Sequence, residues 1–380
     1  MKKALIIFVL LLLSIGNKSI AMSEDIIEAQ KDSLKISSFI DEAQQYTKDI
    51  FPDININDLL TSAIKGDIGN KNFFNGIFKL FGTEVRNTLK ILASILIIIV
   101  IHSIFKTVSE NLGNKGISQI TYYVQYILIV TILMSNFTEI IAMTRTTIQN
   151  LVIFMNSLIP ILITLMITTG SIVSANVVQP VLLFSISFIG NIISAVILPI
   201  VLVSTTLGIV SQISDKMQIG KLAKFFNSSV VWVLGIILTV FVGMLSLEGT
   251  LSSGVDGLTA KTTKAVVSNF IPVVGKVLGD SIDTVLGCAS ILKNAVGFIG
   301  VIVVMGICIT PIIKLTVLSI LYYLAAALCE PIADGKVIKL LEQMGSTFKI
   351  LLAVTFAVAV MLIIGITLVI KISNSGLMYR

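Results

Sequence analysis

Charge is scarce in this sequence. Only 13% of its 380 residues are Asp, Glu, Lys or Arg, against about a quarter in a soluble globular chain. Histidine is scarcer still, with His102 alone, and the three cysteines are Cys288, Cys308 and Cys329. None of them forms a CxxC pair, and all lie in apolar stretches. That leaves almost no material for a zinc site, a Cys/His nucleophile pair or a disulfide framework. The nucleotide-cradling GxxxxGK[ST] run is missing, as are HExxH and GxSxG. Asp280 and Asp283 are too close on one helix to form an aspartyl dyad built from two helices. These absences exclude the common hydrolases, so the expectation is a protein that is no enzyme and holds no metal or cofactor.

What the chain has in abundance is apolar sequence. It is 55% hydrophobic with a mean hydropathy of +1.00. No single water-exposed core can hide that much apolar surface, so lipid is the expected solvent. The net charge of +6 does not point to nucleic acid, because the basic residues sit in short loops between apolar runs, the pattern of membrane topology.

The N-terminus starts with Lys2 and Lys3, followed by an apolar run over 4–15 and then Ser19, Ile20 and Ala21. A basic start, a short apolar stretch and small residues at −3 and −1 make a cleavable signal peptide over 1–21. An uncleaved anchor helix is the alternative, and both put the next segment outside the cytoplasm. Residues 22–88 hold 11 acidic and 7 basic residues. They read as a small helical extracytoplasmic domain, with helices over 25–50, 58–65 and 72–88.

From residue 89 the chain is apolar almost to its end. Spans of about 20 residues are expected at 89–108, 120–142, 150–169, 228–247 and 349–371. The runs 177–213 and 295–328 exceed one span, and Pro199 and Pro311 are expected to split them. Lys216, Lys221 and Lys224 lie between two spans, as do Lys336, Lys339 and Lys349. Both loops are therefore assigned to the cytoplasm. Glu330, Pro331 and Asp334 read as a helix stop on that side, whereas Glu139 and His102 read as interfacial or satisfied polar groups.

Two halves of the membrane region look alike. Pro160, Gly190 and Pro199 recur as Pro272, Gly300 and Pro311, at spacings of 112, 110 and 112 residues. Lys221 and Ser228 recur as Lys339 and Ser346, 118 residues on. The reading is an all-α, polytopic membrane protein with a parallel internal repeat of four membrane elements. Its segments are 89–147 (two spans), 148–248 (repeat one), 249–265 (an extracytoplasmic loop), 266–372 (repeat two) and a tail over 373–380. The first element of repeat two carries Lys276, Asp280 and Asp283 on one helical face. Lys276 can pair with Asp280, leaving Asp283 for Lys293 or Lys314. Charges inside a bilayer usually face a cavity or each other, so this helix either lines an aqueous path or lies in the outer interface.

The stretch from Ser253 onward carries a more specific signal. It contains Ser253 to Gly257, Lys261 to Lys264, Asn269 to Lys276 (Asn-Phe-Ile-Pro-Val-Val-Gly-Lys), Asp280 to Gly287 and Lys293 to Gly297. Tyr323 to Leu328 and Glu330-Pro331 follow. In these residues the chain resembles the stage III sporulation protein AE family of endospore formers, over essentially its whole length. The resemblance implies a multi-pass component of the channel complex linking mother cell and forespore. It implies a place in the mother-cell membrane facing the engulfed forespore and a need for it in late forespore development. The partners implied are other stage III A-operon proteins, including a cytoplasmic ATPase and ring-forming proteins, and a forespore-side protein. Lys221, Lys224, Lys336 and Lys339 are then expected to make the cytoplasmic contacts. Competing readings of the residues are a stand-alone secondary transporter and a purely structural anchor.

Overall fold

The structure is a computed structural model describing residues 36–48, 55, 56–65, 71–111, 115–213, 219–270 and 274–378. The signal peptide assigned to 1–21 lies outside the described residues. Two short helices, α1 (Ile36–Thr47) and α2 (Ile56–Lys65), precede a bundle of long rods. The rods are α3 (Lys71–Asn111), α4 (Lys115–Thr168), α5 (Ile172–Ile192) with a π-helical turn (Ile193–Ile197) leading into α6 (Leu198–Ile213), then α7 (Gly220–Phe270), α8 (Val274–Cys329) and α9 (Gly335–Met378). Among the described residues, five helical stretches are long and apolar enough to cross a membrane: Tyr123–Thr168, Ile172–Gln212, Gly220–Leu247, Val285–Cys329 and Gly335–Asn374. In lipid no water is available to the backbone, so every amide must bond within the chain, and a helix does that by itself.

The rods are longer than the expected spans because several expected breaks are absent. The spans at 120–142 and 150–169 belong to one 54-residue helix, α4. It is about 81 Å long at 1.5 Å per residue, so the two apolar runs are one rod and not two crossings. Pro160 and Pro311 lie inside α4 and α8 without ending them. Pro199 is the second residue of α6, and the chain stays helical through it. A proline removes one N–H and pushes on the carbonyl four residues back. The π-helical turn at 193–197 widens the helix just where Pro199 needs room, and Leu198 N–H bonds back to Ile193 O. Packed neighbours hold such helices together in an apolar bundle, so proline bends rather than divides them. Pro272 lies outside the described residues.

Other boundaries shift in the same way. The loop expected at 249–265 is helical, as part of α7, and α9 continues through the expected tail as far as Met378. The separation expected at residue 88 falls inside α3. Nor do α1 and α2 stand apart. Ile36, Phe39, Ala43, Ile56 and Leu60 are buried in the common core. Phe39 and Tyr46 face Phe154 of α4, with ring centroids 5.9 and 6.0 Å away. Ser157 Oγ donates to Glu42 Oε1 at 3.1 Å. Gln44 Oε1 accepts from Ile56 N–H at 2.8 Å, tying α2 to α1.

Neighbouring rods run antiparallel, as the cross-contacts show. Along α4 and α5–α6, Tyr126 Oη donates to Ile209 O and Arg145 Nη2 to Ser194 O, while Val152 abuts Gly190. Along α8 and α9, Lys293 meets Asn374, Gly297 meets Ile370 and Tyr322 meets Phe348. Along α5–α6 and α7, Val173 meets Asp256 and Ser204 meets Asn227. The repeat-related segments, α5–α6 and α8, thus share a direction, and so do α7 and α9. The stretch marked as four membrane elements holds the end of α4, the α5–α6 rod and α7 in the first half, but mainly the two rods α8 and α9 in the second. Gly190 and Gly300, the repeat's marker glycines, both press on α4, against Val152 and Leu158. A Cβ at either position would come within 2.6 Å of those side chains.

The turns have local causes. α4 ends in a Schellman cap: Gly170 sits at φ 83, its N–H bonds to Ile167 O, and Ser171 N–H bonds to Met166 O. α8 stops at Cys329, just before Glu330-Pro331, as expected from those residues. Asp334 O then accepts from Val337 and Ile338 to begin α9.

A candidate polar site in the helical bundle

An apolar bundle needs few polar side chains, and each one it buries must find a partner or carry a cost. The polar groups of this bundle cluster at three heights. Among the described residues the most buried charge is Lys293 on α8, which is 0% exposed. Its Nζ donates to Asn374 Oδ1 on α9 at 2.8 Å. Asn374 Nδ2 donates in turn to Asn294 Oδ1 at 3.3 Å, and Ser290 Oγ to Asn374 Oδ1 at 3.5 Å.

Beside this cluster, one residue before Asn374, Ser373 Oγ lies 2.9 Å from Thr169 Oγ1 and 3.2 Å from Ser171 Oγ. These hydroxyls fasten the α4–α5 turn to α9. Asp256 of α7 completes this end of the bundle. Its two carboxylate oxygens accept from Val173 N–H at 2.9 Å and Ser174 N–H at 3.0 Å, which caps the start of α5 and complements its dipole.

At mid-height an ion pair joins α8 to α4, with Lys314 Nζ 3.1 Å from Glu139 Oε1. Arg145, further along α4, donates to Ser194 O inside the π-helical turn at 3.4 Å. At the opposite end from Lys293, Thr205 and Thr347 hydroxyls meet at 3.1 Å and Gln343 Nε2 donates to Thr205 O at 3.4 Å. Ser204 Oγ lies 2.7 Å from both Ala223 O and Asn227 Oδ1, and its single hydrogen serves one of them at a time. The basic residues Lys221 and Lys224 begin α7, and Lys336 and Lys339 begin α9. Gln343 links the start of α9 to α6, so both basic junctions lie at this same end, as their shared charge led us to expect.

The structure brings only some of the expected site residues together. The side chains of Lys276, Asp280 and Asp283 lie outside the described residues, although their backbone is helical within α8. That continuity corrects the expected pairing. Ten residues of helix separate Asp283 from Lys293, an axial rise of about 15 Å, which the two side chains together do not span. Lys314 is farther still, and its partner is Glu139. His102 has a helical backbone in α3, but its side chain lies outside the described residues. Sequence reasoning missed Asn374, Asp256 and the Glu139–Lys314 pair. A signal existed for the first: Lys293-Asn294 and Asn374 are polar interruptions in otherwise apolar runs.

Outside the spans, α1 carries one perturbed group. Burial, and then the charge of Glu42, raise the pKa of the Tyr46 phenol above its ordinary value of 10.0.

Comparison with known proteins adds an independent line. The profile of the stage III sporulation protein AE family matches residues 54–373. Stage III sporulation protein AE of Bacillus subtilis (strain 168) is 28% identical over 332 residues, covering 85% of this chain and 83% of that protein. No solved structure matches the chain.

Proposed function

The chain belongs to the stage III sporulation protein AE family and is a multi-pass membrane component of sporulation; from that premise we propose that it is the channel-like or permease-like membrane part of the stage III assembly joining mother cell and forespore. The family match over 54–373 carries the reading, because it takes in almost the whole bundle and not one shared segment.

In this proposal the protein sits in the mother-cell membrane facing the engulfed forespore. The end carrying Lys221, Lys224, Lys336 and Lys339 faces the mother-cell cytoplasm, following the preference of basic residues for that side. A cytoplasmic ATPase of the same assembly docks there, and ring-forming proteins meet the opposite face. The chain itself performs no chemistry; its part is to hold and shape the passage through the membrane.

The test is deletion of the gene in its spore-forming host, with complementation and a reporter for late forespore gene expression. Deletion is expected to abolish the late reporter after engulfment while leaving early reporters intact. Normal spores from the deletion strain would refute the reading. Orientation has its own check. Cysteine placed at Lys336 should react with an impermeant maleimide only after the cytoplasm is opened, and labelling from outside intact cells would reverse the proposed topology.

A further inference from the structure

We propose that Lys293, with Asn374, Asn294 and Ser290, forms a binding site for an anionic oxygen group, a phosphate or carboxylate. The argument starts from donor counting. A lysine ammonium carries three N–H donors, and the acceptor the structure supplies to Lys293 is Asn374 Oδ1 at 2.8 Å. That acceptor is a neutral amide, so the charge itself is unmatched. Among the described residues no carboxylate lies within ion-pair distance of Lys293. Asp256 is committed to the N–H groups of Val173 and Ser174. Glu139 is committed to Lys314, which is 21 residues, about 31 Å, along the same helix. Asp283 is about 15 Å away along that helix axis.

An uncompensated charge at such a depth is costly, and in membrane proteins buried ionisable groups mark ligand or ion sites. A methionine would fill the same volume without that cost. The approach is also laid out. Lys293 is fully buried, but Ser290, Asn294 and Asn374 are each only partly so. The polar layer above the ammonium therefore reaches the bundle surface. Asn374 Nδ2 and the Ser290 hydroxyl add neutral donors that can turn toward an incoming oxyanion. The site lies near the end of the bundle that bears the α4–α5 turn. Two sources meet there, the phosphate of a lipid headgroup and a soluble anion, and both present the same oxygens.

Purified full-length protein in a neutral detergent separates these sources. One arm titrates inorganic phosphate against sodium chloride of equal ionic strength. The other adds phosphatidylglycerol to the micelles, against zwitterionic phosphatidylcholine. The readout is the thermal unfolding midpoint. Wild type is expected to gain several degrees in one arm, and that arm names the source. Lys293→Met is expected to lose the gain. Asn374→Asp supplies a carboxylate directly to the ammonium. It is expected to raise the starting midpoint and to lose the response as well. No response of wild type in either arm overturns the proposal, and so does an equal response from Lys293→Met. If Lys293→Met does not fold, Asn374→Asp decides: a response like wild type, or a lowered starting midpoint, overturns the site. The readout is binding, so its failure leaves the sporulation role standing and the reverse also holds.

Discussion

α7 and α8 are helices of similar length, 51 and 56 residues, and both contain stretches apolar enough to cross a membrane, yet they occupy opposite situations. α8 touches α1, α2, α3, α4, α7 and α9, and its Leu292, Val296, Ile299, Val304 and Leu315 are wholly buried. α7 turns Phe225, Trp232 and Leu247 outward, Trp232 at 74% exposure. Glycines draw the same contrast. Gly297 and Gly300 of α8 are pressed by Ile370 and Leu158, whereas Gly235 and Gly243 of α7 face open space. In lipid there is no hydrophobic penalty for facing outward, so average hydropathy does not sort a central helix from a peripheral one. Close packing does the sorting.

The sharpest way to break the comparison is to truncate a large side chain in each place. Phe348 of α9 packs on Phe137 and on Tyr322 of α8. Phe348→Ala is expected to cost roughly 3 kcal/mol, from the cavity left in a core that relaxes only partly. Trp232→Ala on α7 is expected to stay within about 0.5 kcal/mol. Denaturant unfolding in detergent compares the two, and equal losses would mean that α7 is as tightly held as α8.

Overpacking gives the next effect. Gly300→Leu is expected to destabilise by about 1–3 kcal/mol through its clash with Leu158. Gly235→Ala should instead stabilise by about 0.5–1 kcal/mol, since alanine suits a helix better than glycine and meets nothing there. A loss at Gly235 would reveal a close neighbour on α7.

Smaller effects concern the polar contacts. Glu139 is 70% exposed and Lys314 26%, so the pair's coupling in a double-mutant cycle with Glu139→Gln and Lys314→Met should fall within about 0.2–1 kcal/mol. A larger coupling would show that the exposed side of the pair faces lipid rather than water. The smallest effect belongs to Tyr46. Its folded pKa is raised above 10.0, so its contribution is complete below that pH and is lost as pH climbs through the folded value. Stability of wild type should therefore fall above pH 10.0 more steeply than that of Tyr46→Phe, and identical slopes would remove Tyr46 from the account.

Much of this arrangement was legible beforehand, though unevenly. The apolar runs announced membrane helices, because only a helix satisfies its own backbone in lipid. The two lysine-bearing junctions announced a common end, because charge stays in water on the favoured side. Glu330-Pro331 announced a stop. Pro199 and Pro311 misled, because a proline's effect depends on what surrounds it. In the bundle both sit in helices that neighbours support, and a π-helical turn makes room for Pro199. The site was half legible. Lys293 was named as a partner for Asp283, but Asn374 lies 81 residues away, and no local pattern links them.

Composition and charge spacing alone determined that this chain is a helical membrane protein and which junctions share an end. Those properties follow from each segment's own exchange with water and lipid. Which rods became continuous, which one took the centre, and which polar groups met were decided only in the tertiary structure. The reason is that in an apolar medium the choice rests on packing and on hydrogen bonds between residues far apart in the chain, and those exist only once the rods are side by side.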